Sequence, residues 1–212
     1  LVDPDGNLWV NPGWGHKLAK VLRTISHFTR EGNYTHTILG VSSMGKIAAD
    51  CDLSVYLAGQ MKLNFENEVV WTSGLITSGS EEGFPATNVH WPNQLAAVDG
   101  RVYVYNHIRG HMFELDRATG RRIGPKGGIF QLPGKGSIMT TSDSMYVYDV
   151  KEHEVSRVPL DLTGNLKTVA KLPTSDQEIS KRSPGASMSP DGTRLFLAAR
   201  DRKILAFDVG KQ

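Results

Sequence analysis

One pattern returns five times along the 212 residues: a few apolar residues, an Asp/Gly-type turn, then an alternating apolar strand. It reads Leu1-Val2-Asp3-Pro4-Asp5-Gly6-Asn7-Leu8-Trp9-Val10 at the start, and runs from Ile47 to Ala58 around Asp50-Cys51-Asp52. It returns as Leu95-Ala96-Ala97-Val98-Asp99-Gly100-Arg101-Val102-Tyr103-Val104-Tyr105, and from Ile138 to Tyr148 around Ser142-Asp143-Ser144. The last copy runs from Ala186 to Ala199 around Pro190-Asp191-Gly192-Thr193. Asp and Gly reach the positive backbone angles of a tight turn, and β-branched or aromatic residues favour the strands beside it. Each copy therefore predicts a hairpin.

The second strands begin near Leu8, Val55, Val102, Met145 and Leu195, at spacings of 47, 47, 43 and 50 residues. Repeats of about 40–50 residues belong to arrays of small sheets. Apolar stretches predict a third strand at 18–22, 61–65, 112–115, 155–160 and 204–209, and a fourth at 25–28, 69–72, 121–124 and 168–172. Four short antiparallel strands per repeat make the blade of a β-propeller. The expected fold is thus all-β, a propeller with about five visible blades at roughly 1–34, 35–80, 94–128, 137–173 and 184–212 in a single domain. A β-sandwich with coincidental spacing is the alternative, but it requires no repeated turn at near-constant intervals. The last repeat stops after its third strand, and the first keeps only the tail of its first. Either five blades close imperfectly, or these blades are part of a ring of six to eight. The aggregation hazard of an unpaired blade edge favours the larger ring.

A net charge of +2 is too small to argue for nucleic acid or an anionic membrane. No apolar run approaches the ~18 residues of a membrane span. Cys51 is the only cysteine, so no intrachain disulfide forms. Asn33-Tyr34-Thr35 fits a glycosylation acceptor, a tripeptide that arises often by chance.

Several segments resemble known propeller families. The stretch from Val2 to Val10 is similar to the repeat of the NHL, streptogramin-lyase and gluconolactonase-like propellers. Ser189 to Leu197, continued by Lys203 to Val209, resembles that group and the YVTN-type surface-protein propellers. Leu115-Asp116-Arg117-Ala118-Thr119-Gly120-Arg121-Arg122 is similar to the repeat of quinoprotein-like propellers, with Ile123 near the place of the tryptophan that commonly closes it. The resemblance implies the fold and favours an extracellular or periplasmic setting. It carries over no single activity, and no positions match the metal ligands of the lactonase-like enzymes.

In propellers of these kinds, ligands gather at the channel mouth, where loops join strands two and three of a blade and strand four to the next blade. Here those are 11–17, 59–60, 106–110, 151–154 and 200–202 within blades, and 29–34, 73–93, 125–135 and 173–183 between them. His16, His90, His107, His111 and His153 fall in or beside these loops, whereas His27 and His36 sit in or near strands. The densest group is Asn106-His107-Ile108-Arg109-Gly110-His111, where two imidazoles could converge on an ion or substrate and Arg109 could hold a carboxylate or phosphate. These are equally the residues of a solvated loop. Trp91, in the long segment 73–93, could stack on a planar or sugar-like ligand or plug the channel mouth. Trp14 and His16 form a similar pair in the first repeat. Gly134-Lys135-Gly136-Ser137 fails as a phosphate-binding loop, because Gly follows the Lys.

Two functions follow. One is a binding or scaffold propeller presenting its loop face to a partner protein or larger assembly. The other is a channel-mouth enzyme of the lactonase, lyase or quinoprotein type. In it His107 or His111 acts as ligand or general base, His90 as counterpart, and Arg109 as the anion holder, with Trp14, His16, Trp91 and His153 contacting the small molecule. Nothing in the sequence identifies a metal or cofactor.

Overall fold

The computed structural model describes residues 6–10, 25–38, 47–49, 55–57, 61–63, 69–72, 93–107, 109–120, 122–125, 129–173, 185–199 and 203–209. They form nineteen strands and no helix. The first sheet holds β1 (Leu8–Val10), β2 (Ile25–Phe28) and β3 (Tyr34–Ile38). The second runs β4 (Ile47–Ala49), β5 (Val55–Leu57), β6 (Met61–Leu63) and β7 (Val69–Thr72). The third runs β8 (Asn93–Val98), β9 (Arg101–Asn106), β10 (His111–Leu115) and β11 (Arg122–Gly124), with β12 (Phe130–Gln131) paired to the start of β10. The fourth runs β13 (Ser137–Thr140), β14 (Met145–Asp149), β15 (Glu154–Val158) and β16 (Lys167–Lys171). The fifth holds β17 (Ala186–Met188), β18 (Arg194–Ala198) and β19 (Ile204–Asp208). The pairings with a defined register are antiparallel.

The chain divides into two compact units, 1–104 with 115–122, and 105–114 with 123–212. In the first unit β4 lies beside β8; in the second β13 lies beside β17. Successive sheets thus adjoin through their first strands, as propeller blades do. Among the described residues no helix is long and apolar enough to cross a membrane.

The turns form as their residues require. Asp99 and Gly100 take φ of 50° and 67°, and Gly192 takes 71°, the left-handed values of tight hairpins. Between β17 and β18, Asp191 accepts hydrogen bonds from the Ser189 hydroxyl (2.6 Å), the Thr193 hydroxyl (2.8 Å) and the Thr193 amide (3.1 Å). These donors hold its carboxyl down at about 2.

Burial then separates the sheets. Val102, Tyr103, Val104 and Tyr105 of β9 are all buried, although neighbours along a strand point to opposite faces, so this strand is covered on both sides. In β18 Leu195 and Leu197 are buried and Phe196 between them is exposed. The covered face joins Met139, Tyr148, Val155, Leu172, Met188 and Val209 in one apolar cluster. Each such side chain, fully buried, stabilises the fold by about 1.5–3 kcal/mol.

Three expectations, one of a strand and two of loops, are corrected. Residues 25–28 pair directly with β1, so they take the third-strand place rather than the fourth. The stretch 29–34, expected between blades, is instead the hairpin turn leading into β3: the Thr29 amide bonds the Asn33 carbonyl at 2.7 Å, and the Gly32 amide bonds the Thr29 carbonyl at 2.8 Å. Gly32 makes that turn possible with φ of 86°. The expected strand at 18–22 lies outside the described residues. The stretch 125–135, expected as a loop, contains β12.

Candidate functional site

The turn joining β9 to β10 carries His107, Arg109 and His111, and its shape follows from Asn106 and Gly110. The Asn106 side-chain oxygen accepts the Arg109 amide at 3.1 Å, and its carbonyl accepts the Gly110 amide at 2.8 Å. Gly110 lies at φ 73°. A Cβ there would stand 2.0 Å from the Leu132 carbonyl oxygen, so no other residue fits without moving backbone.

A strap, residues 130–136, crosses back under this turn. β12 pairs Gln131 with His111 and Phe130 with Met112. The Gln131 amide donates to the carbonyls of Arg109 (3.0 Å) and Leu132 (2.9 Å). The Leu132 amide donates to the Gly110 carbonyl at 2.6 Å, and the Lys135 amide donates to the His107 carbonyl. Below the strap, the buried Tyr105 hydroxyl donates to the Pro133 carbonyl and accepts the Gly136 amide at 3.2 Å. Burial raises the Tyr105 phenol well above its ordinary range, so it stays protonated and able to donate.

Arg109 is exposed, and His107 and His111 are half-buried. Burial, then the Arg109 charge, holds the His111 imidazole below its usual value. It is therefore neutral at pH 7, able to accept a proton or a hydrogen bond.

His153 occupies the equivalent turn of the fourth sheet, between β14 and β15. Asp149 shapes that turn by accepting the amides of Lys151 (2.8 Å) and Glu152 (3.3 Å). The His153 Nδ1 meets the Tyr148 hydroxyl at 2.9 Å, and its carbonyl accepts the Leu172 amide at 2.8 Å. At φ 55° it braces β14, β15 and the end of β16. The strap ties the two turns together: Gly136 is packed so closely that a Cβ would lie 2.8 Å from the Tyr148 carbonyl oxygen. Trp14, His16, His90 and Trp91 lie outside the described residues.

Gln131, Lys135, Tyr105 and Tyr148 form the support of this region, and none is singled out by sequence reasoning. The available signal is the Gly-rich run around Lys135, read there only as a failed phosphate loop. Among the described residues no three His, Cys, Asp or Glu side chains group as metal ligands.

Small antiparallel sheets adjoining through their first strands define a β-propeller. No protein-family profile matches the sequence, and no curated protein is significantly similar to it. Solved structures share the fold. Virginiamycin B lyase from Staphylococcus aureus is 14% identical, over 100% of this chain and 69% of that one, with a TM-score of 0.54. A protein of unknown function from Bacteroides thetaiotaomicron is 16% identical, over 88% of this chain and 54% of that one, at 0.58. A glucose dehydrogenase is 14% identical, over 89% and 74%, at 0.50. At such identities the likeness carries the architecture and leaves the activity to the site.

Proposed function

We propose that this chain is a binding propeller that presents the Arg109 turn to an anionic group on a partner protein or larger assembly. The observation that carries this reading is an exposed guanidinium on a turn whose backbone is tied down from below by the 130–136 strap. A pre-ordered turn loses little entropy on binding, and a guanidinium matches a carboxylate or phosphate with paired hydrogen bonds. The test is recovery of complexes from a native extract with wild type, Arg109→Glu and, as control, Lys167→Glu on the exposed outer strand of the fourth sheet. The reading expects a defined complex with wild type and Lys167→Glu that falls at least about tenfold with Arg109→Glu. A chain that stays monomeric and captures nothing overturns it.

The second reading, a channel-mouth enzyme, draws on the neutral His111 beside Arg109. His111 would serve as base or ligand, with His107 alongside and Arg109 holding an anionic substrate group. Metal analysis with alanine replacement of His107 and His111 separates the two: no metal, and no loss of any ligand affinity, would sink the enzyme.

A further inference from the structure

The hairpin between β2 and β3 carries the only Asn-x-Ser/Thr tripeptide in the 212 residues, Asn33-Tyr34-Thr35. The tripeptide alone is weak evidence, so the fold around it decides what it is worth. Arg30 to Thr35 are six consecutive exposed residues at the tip of the turn.

An asparagine in a tight turn often has a structural task. It takes a positive φ, or its side chain bonds nearby backbone. Asn33 does neither. The positive φ belongs to Gly32, at 86°. The Thr29 amide donates to the Asn33 carbonyl at 2.7 Å, and the Gly32 amide to the Thr29 carbonyl at 2.8 Å. The side chain that helps is Thr29, whose hydroxyl accepts the Asn33 amide at 3.3 Å. Among the described residues the Asn33 carboxamide has no hydrogen-bond partner, so its Nδ2 stands in water.

Glu31 lies two places before Asn33, exposed and in no ion pair among the described residues. An acidic residue at that place is what bacterial oligosaccharyltransferases require beyond the tripeptide. Acidic residues are 22 of the 212, so chance fills that place only about one time in ten.

We propose that Asn33 is the acceptor of an N-linked oligosaccharide, with Glu31, Asn33 and Thr35 as its acceptor sequence and a lipid-pyrophosphate-linked oligosaccharide as donor. The bond from the sugar C1 to the pyrophosphate oxygen breaks, and a bond from C1 to the Asn33 Nδ2 forms. The Nδ2 gives up one proton, the lipid pyrophosphate leaves, and nothing is oxidised or reduced. The transferase belongs to an exporting cell, in keeping with the extracellular or periplasmic setting that the family resemblance favours. This site is separate from the Arg109 turn and independent of its function.

Thr35 sets the timing. His27 pairs with His36 and Phe28 with Tyr34, so Thr35 is the extra residue of a bulge. Its hydroxyl donates to the His27 carbonyl at 3.1 Å and lies 2.6 Å from the His27 Nδ1 and 3.0 Å from the His36 Nδ1. Both imidazoles pack on the buried Trp9, with ring centroids at 4.4 and 6.0 Å. A transferase that reads this hydroxyl meets it free only before β2 and β3 pair. Transfer therefore precedes closure of the sheet, and the folded turn then leaves the bulky, polar glycan in water.

The experiment is mass mapping of the tryptic peptide 31–46. It uses the chain purified from its own producing cells, and the whole chain exported to a bacterial periplasm with an acid-requiring oligosaccharyltransferase. Asn33 should carry the oligosaccharide mass in both. In the periplasm Asn33→Gln, Thr35→Val and Glu31→Gln should each lower occupancy at least about tenfold, while Thr35→Ser keeps it. Because transfer precedes folding, these readings do not depend on the stability of a variant. Asn33→Gln should unfold at an unchanged urea midpoint, which separates an acceptor from a structural residue. An unmodified Asn33 in the chain from its own cells overturns the site, as does occupancy that survives Thr35→Val.

Discussion

Gly110 shows how one residue can hold a turn in place. It combines a left-handed φ of 73° with a backbone oxygen 2.0 Å from where a Cβ would stand. Gly110→Ala should therefore destabilise the chain by about 2–3 kcal/mol, measured by urea unfolding, and disturb the amide resonances of Gln131 and Leu132. Asp191 makes a pH-dependent contribution. Its folded carboxyl is held at about 2, below the ordinary 3.8, by the hydroxyls of Ser189 and Thr193 and the Thr193 amide. A depressed carboxylate stabilises the fold above its unfolded value, and that contribution is lost as pH falls from about 4 towards about 2. NMR titration should place the Asp191 midpoint near the lower value. Asp191→Asn should remove this part of the acid dependence, leaving stability flatter across that window.

The working unit at the next scale is the β9–β10 hairpin with its strap. Tyr105 reaches from β9 to two backbone groups of the strap, the Pro133 carbonyl and the Gly136 amide. Tyr105→Phe keeps the ring and removes both bonds, leaving polar groups in a buried place. The expected cost is about 1–3 kcal/mol, with faster amide exchange at Gly136 as the local readout. The hairpin itself is legible from Asn106 to His111, because Asn and Gly flank a short run between two alternating strands. The strap is not: Phe130 and Gln131 make only two residues of strand within a Gly- and Pro-rich stretch, too few for periodicity to register. The first sheet was missed for another reason. His27 and His36 read as isolated strand residues until the Gly32 hairpin sets them opposite each other and the Thr35 bulge turns a hydroxyl onto them.

Across the molecule, alternation along a strand decides what is covered. Leu195 is wholly buried in the cluster shared by the fourth and fifth sheets, and Phe196, on the other face, is exposed. Leu195→Ala should cost about 2–5 kcal/mol through lost burial and the cavity left behind. Phe196→Ala, despite removing a larger side chain, should change stability by no more than about 0.5 kcal/mol. Paired urea melts of the two variants check this, and similar losses in both would show that the outer face is also covered.

By itself the sequence determined the repeated hairpins, their spacing and the all-β architecture, because a tight turn and a two-residue alternation are local properties that adjacent residues impose on each other. It also located a basic, histidine-bearing turn at 106–111. Only the tertiary structure decided that His153 is a brace for Tyr148, that a strap supports Arg109, and that Trp9, His27, Thr35 and His36 meet on one face. Those relations join residues on different strands, and strand register, a bulge and the return of a short segment depend on the packing of the whole sheet.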